Sequence, residues 1–144
     1  MTREIKFRGQ TWNPVKDNKG RTITTWKSWV YGDLLHRPNG VLHILTLNEE
    51  EGVYENHVIN PDTVGQFTGL RDKNKIEIFE HDLVECAGVL CEVVYSDKIG
   101  SFVLLEVLSQ NLGNKPIGQM IDMFGIRYVG NIYDSPELMK QKQL

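Results

Sequence analysis

Short apolar runs bounded by turn residues follow one another through the second half of the chain too closely for long helices to fit between them. "DLVECAGVLCEVVYS" reads as strand, turn at Ala87-Gly88, strand. "GSFVLLEVL" is a third strand after the turn from Asp97 to Gly100, and "IRYVGNIY" is a closing one. About five strands between Thr68 and Tyr133, with turns roughly every eight to twelve residues, leave no room for crossover helices. That spacing favours a small barrel over a βαβ fold. Between Gly113 and Gly125 a loop with a single helical turn at Met120-Ile121-Met123-Phe124 is expected. Ser135, Pro136 and Glu137 stand in the order of a helix start, so "SPELMKQKQ" predicts a short C-terminal helix.

The first half reads as β-rich too. "REIKFRG" alternates Ile5 and Phe7 against Glu4, Lys6 and Arg8, the pattern of a half-buried strand with a charged outer face. "NPVKDNKGR" is expected as a polar turn, and "TTWKSWVYGDLLH", "VLHILTL" and "VYENHVI" as strands, the last two separated by a turn around Glu50 and Gly52. Proline interrupts the pattern at Asn60-Pro61. The expected division is a β-rich lobe over residues 1–60 and a barrel with its terminal helix over 61–144.

Composition narrows the function classes. With 144 residues, 40% of them hydrophobic and 24% charged, the chain has the make-up of an ordinary globular protein. A net charge of -3 gives no general attraction to nucleic acid or anionic membranes, although basic residues concentrate near the N-terminus. "MTREIKFRG" places charges where a leader needs an apolar core, and no apolar run approaches the roughly 20 residues that span a bilayer. A cytoplasmic protein with no membrane partner is expected, its two cysteines kept as thiols.

The segment "VGQFTGLRDKNKIEIFEHDLVEC" gathers Glu77, Glu80, His81, Asp82, Glu85 and Cys86. On a strand only every second residue shares a face, so Glu80 and Asp82 diverge from His81, and the charges read as a solvated face over Phe79, Leu83 and Val84. Cys86 and Cys91 invite zinc, but no second cysteine pair exists, and both fit one small core as weakly polar hydrophobes. His36, His43 and His57 are scattered, and no serine elbow or phosphate loop is present. No catalytic residue, metal or cofactor is expected. Trp26, Trp29 and Tyr31 beside Arg21 and Lys27 fit either a core or subunit interface, which is favoured, or a stacking platform for single-stranded nucleic acid.

Four blocks, "REIKFRG", "WVYGDL", "VGQFTGLRDKNKIEIFEHDLV" and "VGNIYDSPEL", resemble in order the YopX family of phage and prophage proteins, across nearly the whole chain. The central pattern, T-G-L-x-D-x-N followed by E-I-(aromatic)-E-x-D-(aliphatic)-V, is the specific one. The resemblance implies a small, mainly β molecule of phage or prophage origin whose C-terminal part is an SH3-like barrel, with no established activity. This chain departs from the family pattern at Lys75 and His81, where glycine is common, and at Ile76. Gly69, Asp72 and Asn74 are then expected as structural turn residues, with Asn74 supplying a left-handed conformation.

The sequence thus points to a non-catalytic protein-interaction or assembly module with an unknown protein partner. A homo-oligomer is expected, built in part on Trp26, Trp29, Tyr31 and Leu34 of the N-terminal lobe. The alternative is a nucleic-acid-binding protein using Lys6, Arg8, Arg21 and Lys27.

Overall fold

Alternating side chains and tight turns produce ten strands and one α-helix among the described residues. The structure, a computed structural model, describes residues 3–140 apart from the side chains of residues 12–15 and 24–27. All strand pairings are antiparallel, and the protein is mainly β. The chain divides into two compact units, Met1–Gln66 and Phe67–Leu144. The 3-10 turn Pro61–Thr63, beside the expected boundary, belongs to the first of them. Among the described residues no helix is long and apolar enough to cross a membrane.

In the first unit β1 (Phe7–Lys16), β2 (Thr22–His36), β3 (Leu42–Asn48) and β4 (Val53–Ile59) lie side by side in chain order, with β4 outermost. Polar side chains close the turns: Asp17 accepts the backbone N–H groups of Lys19 and Arg21, and Asn48 accepts that of Glu51. Inside, Ile44 and Ile59 are buried, and β1 crosses over them at Gly9, where a Cβ would lie 2.6 Å from the Ile59 side chain. The Asn60 N–H donates to the Gln10 carbonyl at 2.8 Å and ties the end of β4 to β1.

Two expectations for this unit need correction. The turn predicted over "NPVKDNKGR" is confined to residues 17–20, because β1 runs on through Pro14, paired with Thr25. Among the described residues the other side of β1 has no strand partner beyond Arg8, so the missing proline N–H costs no ladder bond there. The phase of the first strand is also inverted. Ile5 lies before the strand and is 54% exposed, whereas Arg8 is 4% exposed. Arg8 sits between Tyr31 of β2 and Gly65, which offers no side chain to displace it.

β5 (Gly65–Arg71) leads into the second unit, where it pairs with β6 (Glu77–Phe79) through Phe67↔Phe79 and Arg71↔Glu77. β7 (Asp82–Cys86), β8 (Val89–Ser96) and β9 (Ser101–Glu106) form the expected meander. The helix α1 (Ile117–Phe124) is longer than the single turn predicted, and β10 (Arg127–Asn131) returns to β7, giving the order β10-β7-β8-β9. Ile78, Val84, Cys86, Cys91, Val93, Leu104, Ile117 and Ile126 make the core, with Met120 and Tyr128 packed against it.

Among the described residues the strands of this unit do not close into a barrel, since β9 and β10 are the ends of their sheet. The predicted terminal helix is one 3-10 turn, Pro136–Met139. Ser135 does not cap it through its side chain. Its hydroxyl packs against Gly130, where a Cβ would come within 2.8 Å of it.

Candidate interaction surface

The turn between β5 and β6 is built on Asp72. One carboxylate oxygen accepts the N–H groups of Asn74 and Ile76, both at 2.8 Å, and the other accepts the Tyr128 N–H at 2.9 Å. Burial alone would raise this carboxyl. The three backbone donors, from Tyr128, Ile76 and Asn74, together with the charge of Lys73, outweigh it and hold the group below its ordinary range. Gly69 takes a φ of +86°, but the left-handed residue of the turn is Lys75, with φ 68°, rather than Asn74 as the sequence suggested. Asn74 instead presents its N–H to Asp72. All of these groups are spent on the turn itself and on joining it to β10.

His81, the other position where the family pattern favours glycine, also has a positive φ, 75°. It lies in the β6–β7 turn and not on a strand, so the alternation argument does not apply to it. Its ring contacts Glu92 at 2.9 Å and Glu80 at 3.8 Å and lies edge-on to Tyr133. Its N–H donates to the Val93 carbonyl and its carbonyl accepts from Ile132. The residue is a clamp between the turn, β8 and the segment after β10. Asp82, expected on a solvated face, is fully buried and accepts the Phe79 N–H at 2.7 Å. A carboxylate so placed closes the tight reversal between two buried strands. Glu85 does lie at the surface, paired with Arg127.

Cys86 and Cys91 are free thiols within the core. Burial raises both; Cys91, also beside Cys86 and Glu106, is pushed up to about 11. Among the described residues no group of three or more His, Cys, Asp or Glu is arranged to hold a metal ion.

The first unit presents a different kind of surface. Register places Asp33 opposite Leu45, and Leu45 opposite Asn56, on one face of β2, β3 and β4. By alternation that face also carries Tyr31 and Leu35 on β2, Leu47 and His43 on β3, and Tyr54 and Val58 on β4. Four of these are open to solvent: Tyr31 at 47%, Leu47 at 52%, Tyr54 at 61% and Val58 at 59%. The side chain of His43 meets that of Asn56 in their midst.

Of the residues expected at an interface, only Tyr31 belongs to this exposed set. Trp29 shares its face but is half-buried, with the Arg8 guanidinium stacked 4.6 Å from its ring centre. Leu34 points to the other face, opposite buried Ile44. The side chains of Trp26 and Lys27 lie outside the described residues. Of the basic set, Lys6 pairs with Glu4 at 2.9 Å and Arg21 with Asp17 at 2.8 Å, while Arg8 is buried. Leu47, Tyr54 and Val58 were missed by sequence reasoning. The signal was present in "YENHV", where Tyr54 and Val58 share a face opposite to that of the polar Glu55 and His57, and in "HILTL", where Leu45 and Leu47 share the face opposite to Ile44.

No curated protein matches the chain. Among solved structures it is similar to protein EF1440 from Enterococcus faecalis, with 22% identity over 96% of this chain and 99% of that one, and a TM-score of 0.43. The family described as YopX protein matches residues 24–140. That match begins within β2 and runs through both units, and the chain belongs to the YopX family.

Proposed function

We propose that the protein acts by binding and not by catalysis, as a protein-interaction or assembly module of phage or prophage origin working in the cytoplasm. The observation that carries this reading is the outer face of β2, β3 and β4, where Tyr31, Leu47, Tyr54 and Val58 stand exposed together. Apolar side chains grouped on one face, with tyrosines among them, are the usual composition of a recognition surface. In this reading the second unit is a stable scaffold, SH3-like in its strand meander but with its sheet open at both β9 and β10. Nucleic-acid binding has less support, because Arg8 covers Trp29 and the acids Glu4 and Asp17 engage Lys6 and Arg21.

The test is capture of partners from induced or infected cells by the protein and by a Tyr31→Glu, Leu47→Glu variant, followed by titration with the purified partner. The variant is expected to bind at least about tenfold more weakly while unfolding within about 0.5 kcal/mol of the parent. A partner held equally well by both proteins would remove the outer face from this reading. Micromolar binding of a single-stranded oligonucleotide at physiological salt would replace the reading altogether.

A further inference from the structure

We propose that a second copy of the chain adds its own β4 to the open edge of β4, antiparallel, about a two-fold axis between the two copies of Asn56. This rests on the reading of the first unit as the part that interacts, and it names the partner and the register.

An outermost strand exposes a row of backbone donors and acceptors, and proteins guard such edges with charged side chains, lysine above all, with proline or with a bulge. β4 has no lysine, proline or bulge, and its single charge, Glu55, lies 3.9 Å from the His57 imidazole of its own strand. Its sequence, "VYENHVI", carries no lysine or proline, and its register with β3 runs without a shift from Asn48↔Val53 to Leu42↔Ile59. The edge is bounded at one end by the reversal at Gly52 and at the other by Asn60, whose N–H is engaged by Gln10. Ile59 is buried, so the run available for pairing is residues 53–58.

The register follows from symmetry. Residues paired across an antiparallel ladder point to the same face, so a two-fold axis normal to the sheet must set one residue opposite its own copy, with the axis midway between the two. Four centres are possible within this run, and one at Tyr54 engages only residues 53–55 and leaves the rest of the edge bare. An axis at Glu55 sets two carboxylates against each other, which is destabilising. An axis at His57 sets Glu55 against Ile59 and draws Asn60 into the ladder, where Gln10 already holds it. With the axis at Asn56, Tyr54 meets Val58 of the second copy on the outer face, and Glu55 meets His57 of the second copy on the other. Apolar then faces apolar, acid faces imidazole, and the central pair is a neutral amide with its own kind. A partner strand of another protein has no such reason to match, so self-pairing is the occupant the edge fits.

Light scattering behind a sizing column at tens of micromolar is expected to give about twice the chain mass of 16.5 kDa. His57→Glu places carboxylates against Glu55 at two symmetric points and is expected to weaken the dimer about tenfold or more. Mixing that variant with Glu55→Lys is expected to restore a mixed dimer, because the two introduced charges then face each other. Val58→Lys gives an independent reading should His57→Glu fold poorly, and it is expected to dissociate the dimer as well.

A parent protein of monomer mass overturns the proposal, as does a dimer indifferent to His57→Glu and Val58→Lys, or a mixture that fails to recover. A monomer whose partner binding still depends on Tyr31 and Leu47 defeats the dimer and leaves the function reading standing. A dimer that obeys the charge exchange, with no partner on the outer face, does the reverse.

Discussion

Asp72 shows how one side chain fixes a turn and its remote neighbour together. Replacing it with alanine leaves the Asn74, Ile76 and Tyr128 N–H groups without their acceptor, and Asp72→Ala is expected to cost about 3 kcal/mol in urea unfolding at pH 7. Its folded carboxyl titrates below the ordinary value of 3.8, so the stabilisation is complete above that value and is lost as pH falls through the folded pKa. The gap between parent and variant should therefore narrow in acid. Lys75 gives a prediction of the opposite sign. It is exposed and holds φ at 68°, a conformation that strains a side-chain-bearing residue, so Lys75→Gly is expected to raise stability by about 0.5–1 kcal/mol. His81→Gly relieves the same kind of strain but removes the contacts to Glu92 and Tyr133, and the net change should be a loss.

At the scale of elements, the β7–β8 hairpin buries a thiol that is costly to ionise. At pH 8 alkylation of Cys91 is expected to run about a hundredfold slower in the native protein than in urea, measured by mass spectrometry of the labelled peptide. Because its folded pKa, about 11, lies above the ordinary value of 9.0, the neutral thiol stabilises the fold below that value. The stabilisation disappears as pH rises toward 11, with a loss of roughly 2 kcal/mol. This hairpin was legible in the sequence because period-two burial and the turn at Ala87-Gly88 are local signals. Phe79, Leu83 and Val84 were legible as core for the same reason. What local pattern could not show was set by distant neighbours. Arg8 is buried because Gly65 comes to lie beside it, and His81 becomes a clamp because Glu92 and Tyr133 arrive from other strands. The terminal helix failed where Ser135 turned to Gly130 instead of capping. At the candidate surface, Tyr31 was found from its alternation with Trp29, whereas the depth of Trp29 depended on the arginine stacked on it.

The whole molecule carries two cores, one around Ile44 and Ile59 and one around Ile78, Val84 and Val93. Hydrogen exchange on Asp72→Ala is expected to show protection falling across residues 67–140 while the amides of β3 and β4 keep theirs, since each unit holds its own interior. Both units hold distant contacts, Arg8 with Gly65 in the first and Asp72 with Tyr128 in the second, but they differ in when along the chain the last of those contacts becomes available. Every strand of the first sheet, from β1 to β4, pairs with its neighbour in sequence, whereas β7 finds its outer partner only in β10 and Asp72 finds its third donor 56 residues away at Tyr128. On the ribosome, where chains grow at about 5–20 residues per second, the first unit can finish before the second has all its parts. The later half must wait, with one edge of β7 bare and the Asp72 carboxylate one donor short, until residue 128 has cleared the exit tunnel. A stalled or shortened message therefore releases a chain that is complete at its front and unfinished behind.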